Sequence, residues 1–342
     1  MTLNMVIELT DNLAKCPQDK IEDLSESIEN LLIGYYEGSL ILLISRPLCA
    51  FIRGKNLVKS DRAEMALRHI ETGGGYIPAV LWRIIVVLEN PEPTKHEVVY
   101  SFFCRTVAVL PAAFLCENLD DIKFYMKLVH LYYPQTPIKA MRYHGGGDTT
   151  VEVLSYLIGM QVICLVVLDS DIKYSGCKIG GTAKKCLAKA HKPTGYIEVK
   201  VLDVHEAENL VPISFMKQMA CPSGKALLKK MTERGILNEL IYFDVKSGIQ
   251  KCDVGQDENY YRYCENLYNI IYRPRRNTFQ VFLRQKQKPT DFLFSQIKDN
   301  LLDLFIKDHA QGYPNDILST YRESIADLIH TFVCCRGYDP LN

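Results

Sequence analysis

Two carboxylates one residue apart, Asp169 and Asp171, follow an unbroken apolar run from Val162 to Leu168. Glu117 and Asp121 follow a shorter apolar run, Ala112 to Cys116, and Asp203, Glu206 and Glu208 follow a further expected strand, Tyr196 to Leu202. Short apolar runs bounded by turn signals read as strands buried on both faces. In open sheets of parallel strands, ligands sit just beyond the carboxyl ends of the strands. Acids gathered there repel one another, and their proton affinity rises unless a cation stands among them. A hard, oxygen-ligated ion such as Mg²⁺ or Mn²⁺ suits those donors, and it brings the activation of water and the neutralisation of phosphate charge. Singly, each acid would serve equally well as a helix N-cap. Their recurrence after three of four expected strands is what points to a metal, and one ion or two would fit.

The elements that must position these acids alternate. Strands are expected over Ala112 to Cys116, Ile138 to Tyr143, Val162 to Leu168 and Tyr196 to Leu202, with helices over Leu119 to Tyr132, Thr149 to Ile158 and Ala183 to Ala190 between them. This pattern predicts an α/β domain over residues 96–212, Rossmann-like, with a mostly parallel sheet and helices on both faces. Asn90-Pro91-Glu92-Pro93 marks a boundary before it. Residues 1–95 read as a helical region, with helices over Ile21 to Leu32, from the Ser60 cap to Thr72, and over the apolar run Tyr76 to Leu88. Residues 213–342 read as an α+β region. Its helices fall over Ala226 to Thr232, Ser295 to Ile306 and Asn315 to His330, and a strand over Leu240 to Val245.

Glu117-Asn118-Leu119-Asp120-Asp121 resembles the first motif of the Toprim family, usually Glu-Gly-x-x-Asp, and Asp169-Ser170-Asp171 resembles that family's Asp-x-Asp motif. The order of strands, helices and acids also matches, over roughly residues 110 to 210, with Asn118 in place of the usual glycine. His205-Glu206-Ala207-Glu208-Asn209-Leu210 is similar to a segment after the sheet in stand-alone effectors of the OLD and PARIS anti-phage type. The resemblance implies a Toprim-fold, Mg²⁺-dependent endonuclease that cleaves DNA or RNA, a regulated effector in anti-phage defence. It implies that Glu117 is general base or metal ligand, that Asp121, Asp169 and Asp171 complete the catalytic and metal-binding set, and that Glu206 or Glu208 is a ligand for a second metal. No G-x-x-x-x-G-K-[ST] loop is present, so a controlling ATPase or sensor would be a separate subunit.

Lys173, Lys178, Lys184, Lys185, Lys189 and Lys192 follow Asp171. They read as a phosphate-contacting edge in which Lys178, Lys184 or Lys185, with Lys184 assigned the role, would stabilise transition-state charge. A second basic stretch, Arg273, Arg275, Arg276, Arg284, Lys286 and Lys288, is interleaved with Tyr272 and Phe279, as a nucleic-acid contact would be. Gly145-Gly146-Gly147 is either a phosphate cradle or a flexible connection, with His144 beside it. Asp244-Val245-Lys246 reads as a surface pair. A net charge of zero over 342 residues excludes a strongly basic coat. Twelve cysteines without a C-x-x-C pair suggest reduced thiols, a cytoplasmic protein and no structural zinc. Gly38 to Ile52 is too short for a membrane span and holds Arg46, and no secretory signal is visible. Self-association into a homo-oligomer stays open. Two other classes compete with the nuclease: a non-catalytic protein that binds nucleic acid or a partner through a degenerate Toprim sheet, and a phosphatase-like enzyme acting on small phosphoesters.

Overall fold

A computed structural model describes residues 5–74, 83–92, 95–135, 138–190, 196–255, 257–273, 278–284, 292–310 and 312–333. The chain folds into two compact units that interleave in sequence. Unit 1 holds Met1–Val166, Cys186–Val199 and Ile325–Asn342, and unit 2 holds Val167–Lys185 and Lys200–Ser324. The protein is of the α/β class with parallel sheets.

Residues 1–95, expected to be helical, carry three strands of a four-stranded parallel sheet in unit 1. Strands β1 (Val6–Leu9), β2 (Ile41–Ile44), β3 (Ile84–Val87) and β4 (Glu97–Val99) lie in the order β2-β1-β3-β4, and every pair is parallel. Three of these runs, Val-Ile-Glu-Leu, Ile-Leu-Leu-Ile and Ile-Ile-Val-Val, are four residues long. That is too short to display a period, and buried strands and buried helices share the same apolar signature. The expected helix over 76–88 falls partly on residues outside the described set, and its end is β3. The helices α1 (Ile21–Tyr36), α2 (Arg46–Gly54) and α3 (Asp61–His69) connect the strands. Helix α1 buries Leu24, Ile28, Leu31, Leu32 and Tyr35. Its buried polar groups are matched: Asn30 Nδ2 donates to the Phe103 carbonyl at 2.9 Å and Ser27 Oγ to the Tyr100 carbonyl at 2.9 Å. The expected Ser60 cap is formed, with Ser60 Oγ accepting the Ala63 N–H at 3.3 Å.

A second sheet has the order β6-β5-β7-β8, with β5 at Ala113–Cys116, β6 at Met141–His144, β7 at Ile163–Leu168 and β8 at Tyr196–Val201. Strands β5 and β6 pair in parallel, Ala113 opposite Met141 through Cys116 opposite His144. Every residue of β5 and β7 is buried. Each large apolar side chain so buried contributes roughly 1.5–3 kcal/mol relative to exposure. Helices α4 (Leu119–Tyr132), α5 (Thr150–Met160) and α6 (Gly181–Ala190) fall between these strands, as the alternation predicts.

Unit 2 contains α7 (Ile213–Met219), α8 (Pro222–Arg234), α9 (Glu258–Tyr272), α10 (Thr278–Arg284) and α11 (Leu301–Lys307). It also holds a small antiparallel pair, β9 (Ile249–Gln250) with β10 (Phe292–Phe294). Phe243 packs on Phe294, and Phe215 meets Phe305 edge-on with centroids 5.4 Å apart. The strand expected over Leu240 to Val245 is absent; Leu237–Tyr242 is a short 3-10 helix. The Asn209 amide donates to the carbonyls of Leu240 at 2.6 Å and Phe243 at 2.9 Å, acceptors that a strand would have offered to a neighbouring strand.

The last helix, α12 (Ser319–Val333), brings residues 325–333 back into unit 1. There His330 stacks on Tyr133, centroids 4.0 Å apart, and Tyr133 Oη donates to Asp327. His330 is 0% exposed and neither ring nitrogen has a hydrogen-bond partner. Burial holds its pKa below the ordinary 6.5, against the pull of Asp327. The unfolded chain takes up a proton near pH 6.5 that folded His330 refuses, so the stability present above pH 6.5 is lost as pH falls through the lowered folded pKa. Urea unfolding of the wild type and of His330→Phe at pH 7.5 and pH 5.5 checks this. The wild type should lose more stability between the two pH values than the variant, which keeps the stack on Tyr133; an equal loss in both would contradict the assignment.

Candidate functional site

In unit 1, Glu117 leaves the end of β5, and its backbone is clamped by the glycine run. Cys116 O accepts the Gly145 N–H at 3.1 Å, and Glu117 O accepts those of Gly146 at 2.8 Å and Gly147 at 3.4 Å. All three amide groups are thereby engaged with backbone, which answers the choice left open in the sequence: the run is a strand-end clamp and not a phosphate cradle. Its first member must be glycine, because a Cβ on Gly145 would lie 2.1 Å from Thr150 Cα.

Asn118, the residue in place of the family's glycine, is the N-cap of α4. Its backbone is extended, φ −130° and ψ 160°, a conformation that needs no glycine. Its N–H donates to Asp121 Oδ2 at 2.9 Å, and Asp121 is buried in the first turn of α4. Asp121 therefore acts as the N3 partner of a capping box, where its charge also suits the helix N-terminus. Glu117 has its Oε1 buried, and its charge acts on the thiol of Cys186 in α6. Burial, and then the Glu117 charge, push the Cys186 thiol up to about 11, so it stays protonated and unreactive.

In unit 2, Asp169-Ser170-Asp171 follows β7. Asp169 Oδ1 accepts the Ala207 N–H at 2.9 Å. Ser170 is fully buried and donates through Oγ to the Val204 carbonyl. Asp171 is in the left-handed region with φ 54°, an uncommon conformation for a residue with a side chain. The Asp171 N–H donates to the His205 carbonyl at 3.0 Å, and the Ser170 carbonyl accepts the Gly180 N–H at 2.8 Å. Gly180 lies so close that a Cβ there would fall 2.0 Å from Asp171 Oδ2. Asp171 as a residue is exposed. His205 Nδ1 lies 3.0 Å from the Ile172 carbonyl, and burial keeps the imidazole below its ordinary pKa.

The next two acids have a cation of their own. Lys246 Nζ lies 3.2 Å from Glu206 Oε2 and 2.7 Å from Glu208 Oε1. Glu206 Oε1 also accepts the Val245 N–H at 3.1 Å. Glu208 is 2% exposed, and its Oε2 is buried without a hydrogen-bond partner. Burial, and then the Glu208 charge, push Glu206 up to about 8, while the two carboxylates outweigh burial and hold Lys246 above its ordinary range. Lys246, expected on the surface with Asp244, is half-buried and bridges two acids. No spacing in the sequence announced it, because the bridge depends on the 3-10 turn that replaced the expected strand.

Lys178, Lys184 and Lys185 are exposed, with the Lys184 N–H bonded to the Gly180 carbonyl at 3.1 Å. Lys173 lies over the Tyr260 ring, 5.6 Å from its centroid. Lys192, Arg275, Arg276, Lys286 and Lys288 fall outside the described residues, as does the side chain of Arg284. The structure thus gathers Asp169, Asp171, Gly180 and His205 in unit 2, Glu206 and Glu208 around Lys246 in the same unit, and Glu117 with Asp121 in unit 1. Among the described residues no three His, Cys, Asp or Glu side chains are grouped so as to hold a metal ion. The chain matches no family model, no curated protein and no solved structure.

Removing the ammonium leaves two buried carboxylates without compensation. Lys246→Met should cost about 2 kcal/mol, less than for a fully buried pair because the Lys246 side chain keeps partial contact with solvent. Adding Glu208→Gln to that chain should recover part of the loss. Urea unfolding of the two variants at pH 8.5 measures both effects, and an unchanged midpoint for Lys246→Met would show that the bridge is not formed.

Proposed function

We propose that the chain is a Mg²⁺- or Mn²⁺-dependent endonuclease of Toprim type, cleaving phosphodiester bonds in DNA or RNA. The observation that carries this reading is the turn after β7. There Asp171 is held in a left-handed backbone conformation, with its carboxylate packed against Gly180, where an added Cβ would fall 2.0 Å from Oδ2. Uncommon backbone states persist where the surroundings enforce them, and they concentrate at functional sites. The donor chemistry fits the metal: Asp169 and Asp171 offer hard carboxylate oxygens from a turn fixed by four hydrogen bonds, those of Ala207, Val204, His205 and Gly180.

Asp169 and Asp171 are the proposed metal ligands, and Glu117 is the proposed general base or further ligand. The bound ion supplies an activated water and neutralises charge on the phosphate. Asp121 supports this set by fixing the first turn of α4, directly after Glu117. Glu206 and Glu208, with Lys246 between them, favour a single-metal site over a second ion at that pair. Lys184, exposed in the first turn of α6, is the proposed phosphate contact. No helix among the described residues is long and apolar enough to cross a membrane. The motif resemblance supports a regulated effector in anti-phage defence, for which a controlling ATPase or sensor would be a separate subunit, and the cysteine pattern supports a cytoplasmic location.

Cleavage of labelled single-stranded and duplex DNA and RNA, with Mg²⁺ or Mn²⁺ and with EDTA, is the direct assay. Glu117→Ala and Asp169→Ala should each lower the rate by about 10³-fold or more with the fold intact. Gly180→Ala should also lower it, because the added methyl group must displace the Asp171 carboxylate. Wild-type rates in Glu117→Ala and Asp169→Ala together would refute the reading.

A further inference from the structure

Asp171 and Gly180, whose close contact shapes the proposed metal turn, stand at the two ends of one loop. Residues 172–180 form neither helix nor strand. The loop is tied at its roots. The Ile172 N–H donates to Ser170 Oγ at 3.3 Å, the Ile172 carbonyl lies 3.0 Å from His205 Nδ1, and the Gly180 N–H donates to the Ser170 carbonyl at 2.8 Å. Its tip is a tight turn. The Tyr174 carbonyl accepts the Cys177 N–H at 3.0 Å, and Gly176, at φ 83°, takes the left-handed position that a type II turn requires. These bonds fix the shape of the loop but not where its tip lies against the rest of unit 2.

Tyr174, half-buried, supplies that tie. Its ring stacks on Tyr260 with centroids 6.1 Å apart and planes at 26°, and it lies 6.3 Å from the ring of Tyr263. Lys173 places its ammonium over the same Tyr260 ring. Tyr174 Oη also donates to the Asp257 carboxylate, at 3.3 and 3.4 Å, which is long for an O–H···O bond. The ring contacts therefore carry the tie and the hydroxyl adds little. All of these partners belong to the start of α9. Asp257 is its N-cap, with Oδ1 accepting the Tyr260 N–H at 2.9 Å, and Tyr260 and Tyr263 are three residues apart on one face. That helix is itself fixed, since it buries Tyr260, Cys264, Leu267, Tyr268 and Ile271. Released from α9, the loop would swing on its roots. Asp171 sits at one root, and its left-handed backbone persists only while the surroundings enforce it.

We propose that Tyr174 is a positioning residue for the metal site: its stack on Tyr260 docks the 172–180 loop on α9 and so holds the Asp171 turn in the geometry that receives the ion. The role rests on the reading of Asp169 and Asp171 as metal ligands, whereas the docking does not. Two measurements on the full chain test it together. Limited trypsin digestion reads the docking, because Lys173 and Lys178 are the cleavable residues within the loop. Mn²⁺ titration followed by electron paramagnetic resonance reads the site. Tyr174→Leu keeps apolar bulk and loses the ring. It should be cut after Lys173 or Lys178 at least about fivefold faster than the wild type, because cleavage follows the population of the open loop. It should also bind Mn²⁺ about fivefold or more weakly, as affinity falls with the fraction of chains whose turn keeps the receiving geometry. Tyr174→Phe should match the wild type in both measurements. Tyr260→Leu removes the partner ring and should reproduce both changes. Loss of folded chains would lower the number of Mn²⁺ ions bound and leave the affinity of the remaining chains unchanged, so the dissociation constant separates positioning from stability. Wild-type digestion of Tyr174→Leu would overturn the docking, and a Tyr174→Phe chain as impaired as Tyr174→Leu would overturn the stack as its cause. Faster digestion with unchanged Mn²⁺ affinity would overturn the positioning role and leave the metal site standing. A wild-type chain that binds no Mn²⁺ while digestion still responds would overturn the metal reading and the role with it.

Discussion

Carboxylates placed close together out of water repel one another, and the repulsion is relieved only by a proton or a cation between them. Unit 2 shows this at Glu206 and Glu208, two acids almost fully buried within three residues of each other. Lys246 relieves them, lying within hydrogen-bonding distance of both, and burial, with the Glu208 charge second, still raises the proton affinity of Glu206. Asp169 and Asp171 are handled differently. They are set on a hydrogen-bonded turn, with Asp171 an exposed residue in the left-handed region. One pair of acids carries an internal cation; the other is the proposed site for an external one.

Backbone hydrogen bonds do the positioning at both strand ends. After β5, the carbonyls of Cys116 and Glu117 receive the amides of the glycine run, so the residue bearing the proposed base is fixed from its main chain. After β7, Ser170 is buried and bonded to Val204, and the chain reverses through a left-handed aspartate that the His205 carbonyl holds in place. The segment 203–210 is tied in turn to 240–245 through Asn209, His205 and Glu206. The acids therefore sit on a network in which side-chain amides and carboxylates bind main chain, the arrangement best able to resist their mutual repulsion.

Much of the second sheet was legible in the sequence because its strands are short apolar runs separated by amphipathic helices of ordinary length. The helix expected over Leu119 to Tyr132 is α4 to the residue, since the segment is amphipathic at helical spacing; the capping box of Asn118 and Asp121 that starts it emerges from the structure. The first sheet was hidden for the opposite reason. Its four-residue strands carry too few positions for a period of two to stand out, and the helices around them dominate the pattern. Within the site, the acids after β5 and β7 could be singled out by type and place. Lys246 could not, because its partnership depends on a turn fixed by Asn209, some thirty residues earlier. The glycine run was read as a phosphate cradle or a flexible connection; its use, clamping the carbonyls of another strand, depends on pairing that spacing alone does not express.

The central claim is that Asp169 and Asp171 take up a divalent cation. Mn²⁺ titration followed by electron paramagnetic resonance tests it most directly, comparing the wild type with Asp169→Asn and Asp171→Asn, which keep size and shape but remove charge. The account expects about one Mn²⁺ bound per wild-type chain, and a loss of that binding in each variant with unfolding behaviour unchanged. Undiminished Mn²⁺ binding in both variants, or none in the wild type, would contradict it.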